Sequence, residues 1–246
     1  MTDRTVKTEA IVLRSFKYGE ADLILTLFGR STGRISAIAK GARKTKNRMR
    51  GNLQLFGLGD FLLYKGKSLY TVTQCESKEP FLILRENLSK FAYASYCIEI
   101  IRELLPEEEV NVHAYRLLCE ILRLMSSGGE ELAARLFDFR MFKISGYQPE
   151  MSCCVKCGGS LTPTSVFSAL EGGMICCGGA KGIHVGQDTL AVMNLLLGMD
   201  IPKACRLKVG AGPLKEMEKV TRAYWENILE KRLKSVQFIE KMRQFA

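Results

Sequence analysis

Arg34-Ile35-Ser36-Ala37-Ile38-Ala39-Lys40 runs on into Gly41-Ala42-Arg43-Lys44-Thr45-Lys46-Asn47-Arg48-Met49-Arg50-Gly51, and the fold turns on this stretch. Its first seven residues set apolar Ile35, Ala37 and Ala39 at every second position against polar Arg34, Ser36 and Lys40, with Ile38 the one apolar residue in the polar phase, the period of a half-buried strand. From Lys40 to Gly51 six residues are cationic (Lys40, Arg43, Lys44, Lys46, Arg48 and Arg50) and none is acidic. Held in one loop, these charges repel one another. Phosphates relieve the repulsion and release condensed counterions. Gly41 and Gly51 would let the backbone approach a ligand closely. A solvated basic loop is the plainer alternative for such a run.

Strand-like segments surround this stretch. Val6 to Leu13 and Ala21 to Phe28 precede it, the second ending at Gly29 and a Ser31-Thr32-Gly33 turn. Leu53 to Phe56 leads through Gly57 and Gly59 into Phe61 to Tyr64. Lys65-Gly66-Lys67 then forms a hairpin loop before the alternating segment from Ser68 to Thr73. About five strands in roughly 75 residues fit a small barrel of the OB type, a fold that commonly binds oligonucleotides. An SH3-like barrel fits the same count. Phe16, Tyr18, Phe28, Tyr64 and Tyr70 interleave with the charge. Phe28 and Phe61 suit the barrel core, whereas Tyr18, between Lys17 and Gly19, suits base stacking as well as packing.

Charge is unevenly shared. Residues 1–75 hold 14 Lys+Arg against 5 Asp+Glu, whereas the remaining 171 hold 22 against 21. The net +10 of the chain therefore sits almost wholly on its first third, the footprint of a polyanionic partner. No apolar run approaches the roughly 18 residues of a membrane span, and no secretory h-region follows Met1. A cytoplasmic protein is expected. In that setting nine cysteines point to metal binding or buried thiols rather than to disulfides.

Helical periodicity takes over from Glu86. It marks helices ending at Leu105 before Pro106, from Val110 to Met125, and from Leu132 to Ile144, then Thr189 to Met199, Leu214 to Glu230, and Leu233 to Phe245. Cys97 and Cys119 fall on the apolar stripes as core thiols. A cysteine-rich interruption breaks the bundle. Cys154-Val155-Lys156-Cys157-Gly158-Gly159 has zinc-knuckle spacing, and Cys176-Cys177-Gly178-Gly179 follows at the distance of a second half-site. Gly179 stands where a regular site would place its fourth cysteine. Cys177, Cys153 or His184 could complete the set, with Cys154, Cys157, Cys176 and Cys177 preferred. A site that has lost its metal is the alternative. No H-x-E or H-E-x-x-H companion points to catalytic zinc.

The chain resembles the bacterial RecO family of recombination mediators over nearly its whole length. Thr8-Glu9-Ala10-Ile11-Val12-Leu13-Arg14, Tyr18-Gly19-Glu20-Ala21-Asp22, Ala39-Lys40-Gly41-Ala42-Arg43-Lys44 and Arg50-Gly51-Asn52-Leu53-Gln54 carry the resemblance in the first third. Ser145-Gly146-Tyr147-Gln148-Pro149, Cys154 to Gly158, Phe167-Ser168 and Gly172-Gly173 carry it later. The resemblance implies an N-terminal OB fold, a helical C-terminal domain and a zinc-binding insertion. It implies no enzymatic activity. It implies binding of single- and double-stranded DNA, annealing of DNA strands and, with RecR, loading of RecA onto DNA coated by single-strand binding protein. Gly179 departs from the second C-x2-C that the family often carries.

The expected architecture is therefore α+β and multidomain. Residues 1–80 form a five-stranded OB-type barrel, and 81–246 an α-helical bundle with a zinc-ribbon-like insertion at 150–185. Lys40, Arg43, Lys44, Lys46, Arg48 and Arg50 are the expected phosphate contacts, with Lys17, Arg34, Lys65 and Lys67 around them. Lys215, Lys219, Arg222, Lys231, Arg232 and Lys234 are candidates for docking the acidic tail of single-strand binding protein. An RNA-binding OB protein and a metal-dependent nucleic-acid enzyme are the alternatives.

Overall fold

The computed structural model describes residues 4–44, 49, 51–179, 181–204 and 206–244. They form two compact units, Met1–Ser126 and Ser127–Ala246. Among the described residues no helix is long and apolar enough to cross a membrane.

The first unit opens with strands β1 (Thr5–Tyr18), β2 (Asp22–Gly29), β3 (Gly33–Ala39), β4 (Leu58–Lys65) and β5 (Tyr70–Glu79). They close into a barrel in the order β1-β2-β3-β5-β4. β3 and β5 are the parallel pair, joined at Ala37 opposite Tyr70 and Ile38 opposite Thr71. A meander would place each strand beside its successor. Here β4 crosses to β1 instead, which is the OB order and sets aside the SH3-like alternative. β1 reaches both neighbours because it is long and kinked. Its first half pairs with β4 and its second with β2, with a bulge between Val12 and Arg14. Strict alternation on β3 turns Ile35, Ala37 and Ala39 inward, against Val12, Leu25, Leu27, Phe61, Leu63 and Val72.

The segment from Leu53 to Phe56 is not a strand. Leu53 plugs the barrel core, and Phe56 (φ 71°) turns outward to meet Phe91 edge-on at 5.6 Å. Two turn-anchoring apolar residues mimic the start of a strand.

Three helices follow in the same unit: α1 (Leu82–Glu86), α2 (Leu88–Leu104) and α3 (Val112–Ser127). Asn87 caps α2 by accepting from the Lys90 N–H. α3 is tied to the barrel wall by rings and charges. Phe28 meets Tyr115 edge-on at 5.8 Å, and the Tyr115 hydroxyl donates to Glu9. Lys78 joins Glu9 and Asp60, and holds the Glu9 carboxyl below its usual range. Arg123 grips Glu79 with two nitrogens. Burial pushes the Cys119 thiol up to about 11, so it is an inert core group.

The second unit packs α4 (Glu130–Ile144), α5 (Gln187–Gly198) and α7 (Ala211–Leu229), with short α6 (Ile201–Ala204) and terminal α8 (Lys234–Gln244). Phe142 of α4 stacks 4.3 Å from Trp225 and 4.8 Å from Tyr224. A charge pair lies inside this apolar contact. Asp138 accepts from Trp225 Nε1 at 2.8 Å and faces Arg135 Nε at 3.3 Å, while Arg135 Nη1 donates to Thr221. Glu216 of α7 accepts from Gly186 N and Thr189 Oγ1 at the start of α5. Those donors depress its carboxyl pKa.

Candidate nucleic-acid interface and cysteine centre

The basic loop leaves β3 at one end of the barrel and folds back on the β1–β2 turn. Gly41 N donates to Asp22 Oδ1 at 2.7 Å, and Arg43 N donates to Ala21 O at 2.8 Å. Arg43 Nη1 also donates to the Gly19 and Glu20 carbonyls. A guanidinium has five N–H donors, so this fixes its orientation while leaving part of the fork for a phosphate. Lys17 stands opposite Leu23, which stands opposite Ala39. Neighbouring strands lie roughly 4.8 Å apart, so Lys17 and Lys40 flank the same barrel end. Lys17, Lys40 and Lys44 are exposed. Four expected contacts, Lys17, Lys40, Arg43 and Lys44, are thus gathered around one turn. Lys46, Arg48 and Arg50 lie outside the described residues.

Arg34 and Lys65 occupy a different setting. Arg34 Nε donates to Leu105 O, and its Nη1 pairs with Glu107 at 3.1 Å. Lys65 pairs with Glu108, also at 3.1 Å, and lies over the Tyr70 ring. The β2–β3 turn is pressed onto this acidic segment. A Cβ at Gly33 would come within 2.1 Å of Glu109 O, and its φ of 69° favours glycine. Both cations bind the link between α2 and α3 to the barrel. Lys67 is exposed in the β4–β5 loop. In the second unit Arg222 is paired with Glu226 and Glu240, and Arg232 with the same two carboxylates.

Phe28 and Phe61 are buried, as core residues. Tyr18 is 53% exposed, Tyr64 43% and Phe16 41%. Arg14, not among the expected phosphate contacts, lies 5.1 Å above the Phe16 ring. The sequence does carry a signal for it. Arg14, Phe16 and Tyr18 recur with period two, but the bulge that turns them outward is invisible locally.

The cysteine centre is built on a three-stranded sheet of β6 (Val166–Ser168), β7 (Gly173–Ile175) and β8 (Ile183–His184), in the order β7-β6-β8. The segment from Glu150 to Val155 zips onto β7, Met174 N donating to Glu150 O and Val155 N to Met174 O. The chain then turns tightly. Gly158 (φ 68°) donates to Cys154 O, and Cys154 N donates to Gly159 O. The result brings Cys154, Cys157, Cys176 and Cys177 together, all four sulfurs within 4.8 Å of one another. Cys154 lies 3.9 Å from Cys177, and Cys157 3.6 Å from Cys176. A tetrahedral ion with sulfur bonds of about 2.3 Å needs sulfurs about 3.8 Å apart, so the four could hold a metal ion. Cys177 rather than Cys153 joins this group, and His184 Nε2 lies 3.3 Å from Pro163 O instead. Backbone N–H groups of Cys176 and Cys157 hold the Cys154 thiol down to about 6. Contact with Cys157 and Cys154 pushes Cys176 up to about 12. A cation would remove that conflict by binding all four as thiolates.

Comparison with known proteins supplies the lineage. The family model described as Recombination protein O N terminal matches residues 1–81, and Recombination protein O C terminal matches 85–237. A protein named DNA repair protein RecO from Alkaliphilus metalliredigens is 39% identical over 89% of this chain and 92% of its own length. One of the same name from Pelotomaculum thermopropionicum is 38% identical over 97% and 94%. A third, from Acetivibrio thermocellus, is 30% identical over 96% of each chain.

Proposed function

We propose a function that proceeds from one premise: the chain belongs to the RecO family of DNA repair proteins. The protein is a DNA-binding mediator of recombinational repair that makes and breaks no covalent bond. It binds and anneals DNA strands, and with RecR it helps load RecA onto DNA coated by single-strand binding protein. It works in the cytoplasm, at the nucleoid. The observation that carries this reading is the one-sided charge, centred on Lys17, Lys40, Arg43 and Lys44 around the β1–β2 turn. Lys46, Arg48 and Arg50 extend that grip by virtue of their place in the sequence, with Arg34, Lys65 and Lys67 contributing at the periphery. Such contacts read phosphates and not bases, as a protein that must act on any sequence requires. A fluorescence assay with two complementary strands tests it. The protein should accelerate pairing of unrelated sequence pairs alike. No acceleration at protein concentrations that saturate the strands would refute the annealing role.

The four cysteines hold a structural zinc ion. Zinc would neutralise thiolates that otherwise repel one another and would lock the Cys154–Cys157 knuckle to the Cys176-Cys177 pair. About one zinc per chain is expected in the native protein, falling to none in Cys154→Ser and Cys177→Ser and remaining in His184→Ala. A zinc-free wild-type protein purified without chelator would contradict this.

A further inference from the structure

The cysteine centre departs from a regular pair of knuckles in ways that a purely structural metal leaves unused. Gly179 stands in place of the spaced fourth cysteine, so the second half-site is the adjacent pair Cys176-Cys177. The four sulfurs are also unequally sheltered. Cys154 is 1% exposed and receives backbone N–H groups, that of Cys176 at 3.4 Å among them. Cys157 is exposed, and Cys176 and Cys177 are half-buried. A Cβ at Gly158, Gly178 or Gly179 would meet nothing within 4 Å, so the backbone beside these sulfurs lies open. Of the two sulfur contacts, Cys157 with Cys176 is the shorter, at 3.6 Å against 3.9 Å for Cys154 with Cys177.

Thiolate character and access decide which cysteine an oxidant attacks. Cys97 and Cys119 lack access, being buried in the first unit. Burial pushes the Cys75 thiol up to about 12, which keeps it protonated. In the centre a bound cation would hold all four sulfurs as thiolates. Access then separates them. Burial hides the Cys154 sulfur, and its N–H donors draw charge from it. Cys157 meets solvent with a second sulfur, that of Cys176, already in contact.

We propose that Cys157 and Cys176 form a peroxide-sensitive dithiol pair, whose oxidation to a disulfide opens the cysteine centre. It rests on the structural-zinc reading above for its second consequence, release of the metal. The Cys157 sulfur attacks one oxygen of hydrogen peroxide. The O–O bond breaks, an S–O bond forms and hydroxide leaves. The Cys176 sulfur then attacks the sulfur of that sulfenic acid. An S–S bond forms, the S–O bond breaks and a second hydroxide leaves. Each sulfur gives up one electron, and the two peroxide oxygens take up both. Capture by a sulfur 3.6 Å away forestalls further oxidation of Cys157, so a thiol reductant reverses the change. Cys154 and Cys177 remain as two ligands where a structural zinc site uses four, and the hold on metal is lost.

The test treats the full-length protein, purified without chelator, with hydrogen peroxide at neutral pH. A chelating dye reads released zinc, and mass spectrometry of a non-reduced digest reads the linkages. Wild type is expected to fall from about one bound zinc per chain to none, with Cys157 linked to Cys176 and with Cys97 and Cys119 still reduced. Dithiothreitol with added zinc should restore the starting state. Cys153→Ser, which removes a neighbour outside the four, should behave as wild type. Zinc retained through the treatment would overturn the site. So would zinc lost with Cys157 carried to sulfinic acid and unlinked to Cys176, or with Cys154 linked to Cys177 alone. Protein that holds no zinc beforehand yet forms the Cys157–Cys176 linkage would overturn the zinc reading and uphold the dithiol pair, so the two failures are distinguishable.

Discussion

Replacing Lys40, Arg43, Lys44, Lys46, Arg48 and Arg50 together by Ala is expected to weaken binding to a single-stranded 20-mer at least about 100-fold at 50 mM salt. The loss should be nearly the same for every sequence, because phosphate contacts position a strand without reading it. In the described part of the loop Lys40 and Lys44 are exposed, and the Gly41 and Arg43 N–H anchors survive the substitution, which removes there only the two Arg43 side-chain hydrogen bonds to the Gly19 and Glu20 carbonyls. Thermal stability should therefore hold. Equilibrium binding by fluorescence anisotropy measures it. Wild-type affinity in this variant would move the site elsewhere on the chain. Arg34→Ala and Lys65→Ala should instead act chiefly on the packing of the barrel against Glu107 and Glu108.

The largest stability effect belongs to the second unit. Asp138→Ala should destabilise it by about 3–5 kcal/mol. The substitution leaves the Arg135 guanidinium buried without its carboxylate, and the Trp225 N–H without its acceptor. Asp138→Asn keeps an acceptor for Trp225 and should lose less. Urea unfolding followed by Trp225 fluorescence resolves the two, since this is the only tryptophan in the chain. A midpoint for Asp138→Ala equal to wild type would mean that the charge pair contributes nothing.

The barrel was legible because strand alternation is a local signal. Arg34, Ser36 and Lys40 mark the outward phase of β3 and its neighbourhood, and Ile35, Ala37 and Ala39 are buried accordingly, with apolar Ile38 the exception in the outward phase. Strand order was not legible. The β3–β5 pairing joins Ala37 to Tyr70 across a loop whose length says nothing about direction. The Leu53–Phe56 segment misleads for a related reason: apolar spacing cannot distinguish a strand from a turn that inserts two anchors.

Charge shows a similar split. The sign of Arg34 and Lys65 is local, so they group naturally with the loop cations. Their acidic partners arrive 73 and 43 residues later, which no window over the sequence connects. The cysteine spacing pointed to two half-sites, yet the fourth thiol needed geometry. Adjacent side chains normally diverge, and only the backbone turn after β7 brings Cys176 and Cys177 toward the same centre. The outward face of β1 was hidden by a single bulge residue. Without the bulge, Arg14, Phe16 and Tyr18 would continue the inward phase of Ala10 and Val12, with their side chains inside the barrel.

Salt dependence tests the phosphate grip most directly. Binding of the wild-type chain to a single-stranded oligonucleotide should be measured between 50 and 200 mM salt, beside the six-cation variant. If the loop neutralises six phosphates, log K falls with log[salt] at a slope of about −4, or about 250-fold across that range. The variant should lose most of that slope. A wild-type slope near zero, or a variant slope equal to wild type, would contradict the assignment of the grip to the loop from Lys40 to Arg50.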